Sequence, residues 1–305
     1  MSRFPRPAPW LGLLVGLVLL VAIAALISQL SSRDDAAAGG SPVLPVSTEA
    51  PPDPAELAAA ARRRALAQIA LLRDPVYRGG ADAKLVGLSF DDGPAPSTMA
   101  VLAALNRLDV HATFFVIGRQ VKGNEKELNA ILAHGNELAV HTWDHPDLTT
   151  LGTEGVRDQI LNTRDAIREA TGVDPGLYRP PYGAIDDRVV RAVASTRMVP
   201  VLWDADGDDW TGIAAAEISR RVLAEAHPGA IILLHDGGGM RGQTVKAIPL
   251  IVRGLRARGL TPVPVGELLE RDPPAREGAP VETVQRDADP VAPPSTTPTG
   301  TAGEG

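Results

Sequence analysis

Residues 84–94 read KLVGLSFDDGP, and the fold can be read outward from them. An apolar run from Leu85 to Phe90 ends in two adjacent carboxylates, Asp91 and Asp92, and Gly93-Pro94 then turns the chain. The same event recurs downstream. Further short β-prone runs occupy Thr113–Ile117, Glu137–His141, Gly176–Tyr178, Met198–Trp203, Ala230–His235 and Thr261–Val265. Helical patterns separate most of them, over Thr98–Leu108, Glu125–Ala133, Thr153–Ala170, Asp187–Ser195, Ala214–Ala226 and Val245–Arg258. Alternation of this kind predicts a mostly parallel α/β sheet, and about seven strands with six helices suit a closed or nearly closed (β/α) barrel. Polar clusters follow the strands repeatedly, and in such barrels the chemistry gathers at the C-terminal strand ends.

The flanking segments are of a different kind. Arg3 and Arg6 precede Trp10–Ile27, a stretch of 18 apolar or glycine residues. A helix of that length spans about 27 Å, close to a hydrocarbon core. The basic flank predicts a cytoplasmic N-terminus and an exported remainder; a cleaved signal peptide is the competing reading, with the same outcome for the rest. The division expected is 1–30 as stub and transmembrane anchor, 31–54 as a proline-rich linker, and 55–83 as a helical lead-in. Residues 84–270 form the main domain, and 271–305 a tail. Asp53 as N-cap, Pro54 and Glu56 predict where the lead-in helix begins. Its Arg62-Arg63-Arg64 run reads as a solvated face. The tail has seven prolines, four glycines and no aromatics, so it is expected to stay disordered.

Composition excludes some chemistry. The 305 residues include no cysteine, which removes disulfides, thiolate metal sites and a cysteine nucleophile. A formal net charge of −7 gives no electrostatic case for nucleic acid as a partner. Oligomeric state is left open.

Five clusters carry candidate chemistry. In SFDDGP (89–94), adjacent residues on extended backbone point opposite ways, so one carboxylate can bind a cation while the other handles a proton. The same residues also make a good turn. In HTWDHP (141–146), two histidines four apart can meet at one metal if the backbone turns between them; a pair of surface loop histidines has the same spacing. With one carboxylate they make a set that leaves coordination positions open. RPPYG (179–183) builds a rigid loop whose guanidinium can hold a carboxylate and whose amide can face a ligand oxygen. DGDDW (206–210) adds further carboxylates, and LLHD (233–236) delivers His235, a candidate proton donor, to the barrel mouth.

Taken in order, SFDDGP, HTWDHP, RPPYG, DGDDW and LLHD resemble the five motifs of NodB-type polysaccharide deacetylases, carbohydrate esterase family four. The resemblance spans about Lys84–Glu270 and implies a distorted (β/α) barrel. It implies Asp92, His141 and His145 as ligands of a divalent metal, usually Zn2+, and Asp91 as general base oriented by Arg179. It further implies the Tyr182 backbone N–H as oxyanion donor, and His235 as the acid tuned by Asp209. Leu233 and Trp210 would line a pocket for the acetyl methyl. Ser89 stands where the family often has threonine, which should matter little. The activity implied is removal of N-acetyl groups from an extracellular N-acetylhexosamine polysaccharide, peptidoglycan or chitin-like. An O-acetyl esterase and a non-catalytic glycan-binding wall tether are the alternatives. His111, His134 and His227 receive no role, Asp144, Asp206 and Asp208 read as loop carboxylates, and Asp236 is ambiguous.

Overall fold

The computed structural model describes residues 54–71 and 74–275. The expected membrane segment, the linker before Pro54 with the Asp53 cap, and the tail beyond residue 275 lie outside the described residues. No helix among the described residues is long and apolar enough to cross a membrane.

Eight strands form one parallel sheet: β1 (Leu85–Gly93), β2 (Thr113–Val116), β3 (Glu137–Val140), β4 (Leu177–Tyr178), β5 (Val199–Pro200), β6 (Ala205–Asp206), β7 (Ile231–His235) and β8 (Thr261–Val263). The helices are α1 (Pro54–Ala70), α2 (Thr98–Leu108), α3 (Glu125–Ala133), α4 (Thr153–Thr171), α5 (Asp187–Val193), α6 (Ala215–Glu225), α7 (Gly242–Ala257) and α8 (Val265–Arg271). Seven strands follow the path β5-β4-β3-β2-β1-β7-β6. The eighth, β8, pairs with the first residues of β1 below β2, because Gly87 already faces Ile231 of β7 on its other edge.

This is a curled half-barrel wrapped by helices. Residues 201–204 alone lead from edge strand β5 to the opposite edge strand β6. Five residue steps reach about 17 Å at most, so the two edges must lie close. Residues 76–79 fill the seam: Val76 N–H donates to Pro200 O, Leu202 N–H donates to Val76 O, and Gly79 N–H donates to Gly229 O.

Two apolar clusters follow from strand alternation. Val86, Leu88, Phe90, Phe114, Leu138, Val140, Ile232 and Leu234 face outward, where they meet helix residues such as Val156 and Ile160 of α4 and Ile248 of α7. Leu85, Phe115, Ala139, Leu177, Val199 and Ile231 face the barrel interior. That interior is closed from below by Leu66, Ile69 and Ala70 of α1 and by Val265, Leu268 and Leu269 of α8. The inward sides of β1, β3, β4 and β7 therefore run from apolar residues at the base to Asp91, His141, Arg179 and His235 at the top.

Two elements differ from the sequence reading. A two-residue strand, β6, ends on the first residue of the DGDDW cluster, and the run ending at Val265 is instead split at Pro264. Proline interrupts the ladder there, and α8 begins at once. The first N–H groups of α8 are held by strand side chains: Val265 N–H by Thr113 Oγ1 (2.8 Å) and Gly266 N–H by Glu137 Oε2 (2.8 Å). The arginine run on α1 is also only partly solvated, because Arg62 pairs with Glu270 at 3.3 Å and Glu267 at 3.8 Å on α8.

Candidate metal-centred active site

The two carboxylates of SFDDGP serve one site by a route that extended backbone does not provide. The β1–β2 register shifts between Asp91 and Gly93, and Asp92 is left-handed (φ 72°). This bulge rotates Asp92 so that both carboxylates approach His141, with Asp91 Oδ2 at 3.7 Å and Asp92 Oδ1 at 3.4 Å from its Nε2. The following loop leaves little room for anything else. A Cβ at Gly237 would sit 1.9 Å from Asp92 O, and one at Gly238 would sit 2.5 Å from Asp92 Oδ2.

The turn required between the histidines is present. Thr142 (φ 67°) and His145 (φ 68°) are both left-handed, and His145 N–H donates to Thr142 Oγ1 at 3.1 Å. His145 Nε2 then lies 3.2 Å from Asp92 Oδ1, and the ligand atoms of Asp92, His141 and His145 all fall within 4.8 Å of one another.

Their proton arrangement fits a cation. His141 Nδ1 is 2.8 Å from the carbonyl of Arg179. A carbonyl only accepts, so Nδ1 carries the proton and Nε2 of the neutral ring offers a lone pair toward Asp92. Asp92 Oδ1 is buried without a hydrogen-bond partner. A buried orphan oxygen facing imidazole nitrogens is costly without positive charge between or on them. The same demand appears in the proton affinities. Burial pushes Asp92 up, yet the histidines outweigh it and hold its carboxyl far below the usual range. Burial lowers His141, and the Asp91 and Asp92 carboxylates raise it above its ordinary value. The three residues suit a divalent ion that replaces those shared protons.

Arg179 fixes Asp91. It is fully buried and donates from Nη1 to Asp91 Oδ1 at 2.7 Å and to Ser89 Oγ at 2.9 Å. Nε and Nη2 approach the carbonyls of Val201 (3.4 Å) and Leu202 (3.3 Å), and the guanidinium stacks 4.0 Å from the Phe115 ring centre. Burial draws its pKa down, and Asp91 opposes that. Asp91 Oδ2 is left facing His141. Ser89 itself donates to Ile232 O at 2.7 Å, a bond that a threonine hydroxyl would equally supply.

On the other side, His235 Nδ1 is 2.7 Å from Asp209 Oδ1. Asp209 Oδ2 accepts from His235 N–H at 3.0 Å and from the Thr244 hydroxyl at 2.6 Å. Burial alone would lower His235, but Asp209, with Asp91 and Asp92 behind it, carries it up to about 9. Burial raises Asp209, while His235 and the Thr244 hydroxyl draw it below its ordinary value.

In the RPPYG turn, the N–H groups of Gly183 and Ala184 bond to Pro180 O and Pro181 O. The prolines have no N–H, so Tyr182 (φ 59°) carries the turn's one N–H outside that pair. Its hydroxyl lies 3.2 Å from His145 Nδ1. Leu233 shares the inward side of β7 with His235 and is buried, whereas Trp210 follows Asp209 and is half exposed. Asp236 is wholly buried, accepts from the Thr98 hydroxyl and packs on Gly93. Burial, with Asp92 and Asp91 nearby, pushes it up to about 7. Asp206 is buried on β6 rather than a free loop carboxylate, and His227 Nε2 pairs with Asp204 at 2.9 Å, away from the site. Thr244 escaped the sequence reading because it is an ordinary threonine near a helix start, outside every motif.

A parallel half-barrel carrying an Asp-His-His set, a clamped second aspartate and a His–Asp pair at its mouth has the make-up of a glycan deacetylase. Residues 78–201 match the family model described as polysaccharide deacetylase. The chain is 39% identical over 196 residues to a chitooligosaccharide deacetylase of Sinorhizobium fredii, covering 60% of this chain and 91% of that protein. It is 34% identical over 235 residues to the peptidoglycan-N-acetylglucosamine deacetylase PgdA of Listeria monocytogenes, covering 74% of this chain but only 48% of the longer protein. The chain thus spans about half the length of that relative. A Bacillus anthracis protein described as a pseudoenzyme of carbohydrate esterase family four has a similar structure, with TM-score 0.60 and 32% identity over 65% of this chain and 69% of that one. The chain belongs to the polysaccharide deacetylase family.

Proposed function

We propose that this chain is a metal-dependent N-deacetylase of an N-acetylhexosamine-containing glycan, working outside the cytoplasm on a domain tethered by its N-terminal apolar segment. Family membership alone does not carry catalysis, since a neighbour in the family is described as a pseudoenzyme. The observation that carries the proposal is the completeness of the site. Ligand set, clamped aspartate and His–Asp pair occur together at the C-terminal end of one sheet.

A divalent ion held by Asp92, His141 and His145, most suitably Zn2+, would acidify a water and polarise the acetyl carbonyl. The chain's own residues supply the rest. Asp91, fixed through Oδ1 by Arg179, presents Oδ2 to take the proton of the attacking water. The backbone N–H of Tyr182 donates to the carbonyl oxygen as negative charge develops on it. His235, charged and paired with Asp209, gives its proton to the departing amine nitrogen. Leu233 and Trp210 would border the acetyl methyl. Oxygen from water ends on acetate, and the sugar keeps its nitrogen as a free amine.

The His235–Asp209 pair favours an amide over an ester substrate. An alkoxide leaves more readily than an amide nitrogen and needs less help from an acid. Incubating the protein with zinc and either N-acetyl-chitooligosaccharide or acetylxylan tests this directly. Acetate release from the first, faster than from the second, is expected. Release from acetylxylan alone would make it an esterase, and release from neither would leave a glycan-binding tether.

A further inference from the structure

Two of the five motif loops, RPPYG and DGDDW, meet on one side chain that belongs to neither. Trp203 follows β5 and is half buried. Its ring lies 5.7 Å from the guanidinium carbon of Arg179, on which the preceding carbonyls of Val201 and Leu202 also close. The tip of the same ring fills the space above Gly183, where a Cβ would come within 3.1 Å of Trp203 Cη2. Gly183 is left-handed (φ 67°) and follows Tyr182, so the indole supports the turn that aims the Tyr182 N–H. The indole N–H donates to Asp206 Oδ2 at 3.1 Å. Asp206 Oδ1 accepts from Asp208 N–H at 2.8 Å, which sets the turn delivering Asp209 to His235.

We infer that Trp203 is a positioning residue, a single strut that aligns the base side, the oxyanion side and the acid side of the site. The inference rests on the deacetylase reading for its kinetic consequence, though not for its structural one. The chain crosses from one sheet edge to the other at residues 201–204 on a few backbone hydrogen bonds, Val201 N–H to Tyr178 O, Leu202 N–H to Val76 O and Asp204 N–H to Ile231 O, and a rigid side chain is needed to carry that order into the loops above. The indole provides it, with one face to Arg179, its tip against Gly183 and its N–H to β6. A leucine would fill part of the volume but make neither the ring contact nor the N–H bond. A phenylalanine would keep a ring toward Arg179 and lose the bond to Asp206.

The test uses the purified full-length chain with zinc, comparing wild type, Trp203→Leu and Trp203→Phe by hydrogen-exchange mass spectrometry, zinc affinity and acetate release from N-acetyl-chitooligosaccharide. Trp203→Leu should speed exchange in segments 178–184 and 204–211 while leaving 113–116 protected. A misplacement of about 1 Å at reacting groups lowers kcat by about 100-fold, and KM and zinc affinity should stay within about threefold. Trp203→Phe should speed exchange in 204–211 only and lose less kcat, about tenfold. Unchanged exchange in both segments would overturn the inference, as would exchange rising equally across 113–116, which would mark a general packing role. If Trp203→Leu does not fold, the exchange of 204–211 in Trp203→Phe decides alone. If wild type releases no acetate, the deacetylase reading fails while the exchange results still judge the strut.

Discussion

Asp209 binds His235 twice, through Nδ1 at 2.7 Å and through the backbone N–H at 3.0 Å, so one carboxylate fixes both the ring and the strand end that carries it. The Thr244 hydroxyl, 2.6 Å from Asp209 Oδ2, closes the arrangement from α7. An imidazolium held this way keeps its proton across the neutral range and presents Nε2 to the site.

Replacing that carboxylate should therefore change pH dependence in a defined direction. His235 is raised to about 9, above the ordinary histidine value of 6.5. A folded-state value above the unfolded one stabilises fully below about pH 6.5, and the contribution is lost as pH rises to about 9. In metal-free protein, the melting-temperature gap between wild type and Asp209→Asn should shrink across that window; a constant gap would count against the assignment. In metal-loaded protein, the basic limb of kcat/KM should fall at least about one pH unit lower in Asp209→Asn, since it loses an adjacent opposite charge.

The aspartate clamp gives a second contrast. Asp91→Asn keeps the shape of the side chain and leaves Asp92, His141 and His145 untouched, so zinc content should be retained while turnover falls by about 100-fold or more, the range of a lost general base. Arg179→Ala leaves Asp91 buried and unpaired, and breaking such a pair costs about 3–5 kcal/mol. Urea denaturation should report that loss. Arg179→Lys should rescue it only in part, because an ammonium cannot meet Asp91, Ser89 and two carbonyls in one plane.

What was legible in the sequence follows from where apolar periodicity breaks. Asp91, Asp92, His141, His145, Arg179 and His235 all stand at the C-terminal ends of short apolar runs, where a parallel barrel gathers its chemistry, and each was assigned its place from that position together with the family resemblance. Backbone handedness was not legible. Alternation predicts that Asp91 and Asp92 diverge, and only the left-handed bulge at Asp92 turns both toward His141. Trp203 was hidden for a different reason. It ends an apolar run in which a tryptophan looks like core, and its contacts with Arg179 and Gly183 lie in another loop, earlier in the sequence. Likewise the start of α8 is not legible: Val265 reads as the end of a β-prone run, while the groups that start the helix, Thr113 and Glu137, belong to other strands.

Metal binding should appear as stability. Asp92 Oδ1 is buried without a hydrogen-bond partner and the Nε2 atoms of His141 and His145 face it at 3.4 and 3.2 Å, so the set is arranged to receive a cation. At 100 times its dissociation constant, zinc should stabilise the protein by about 2.7 kcal/mol, seen as a rise in melting temperature that chelator reverses. His141→Ala should abolish most of that rise and lower zinc content. A wild-type protein whose melting is indifferent to both zinc and chelator would show that the set does not bind it.

The base of the barrel should be separable from the chemistry at its top. Leu66 of α1 is buried with Ile69 and Leu268 and lies over Gly176, where a Cβ would come within 3.1 Å of Leu66 Cδ1. Leu66→Ala should cost about 2–5 kcal/mol in chemical denaturation, the usual range for a truncated core leucine. Zinc affinity and kcat below the melting transition should stay near wild type. A matching loss of zinc affinity would instead tie α1 to the site.

Tyr182 offers the sharpest separation of side chain from backbone. Its hydroxyl is 3.2 Å from His145 Nδ1, and the His145 ring is otherwise held by edge contacts with His141 and Tyr182, at centroid distances of 5.0 and 4.9 Å. Groups that orient a ligating histidine typically contribute 10–100-fold in metal affinity. The Tyr182 side chain is two-thirds exposed (67%), so solvent can replace part of that bond and the effect should fall near the lower end. Tyr182→Phe should thus weaken zinc binding by about tenfold. The proposed oxyanion donor is the backbone N–H, which phenylalanine retains, so kcat at saturating zinc should remain within a few fold of wild type. A large loss of kcat with unchanged zinc affinity would place the hydroxyl in the chemistry itself and take the backbone assignment down with it.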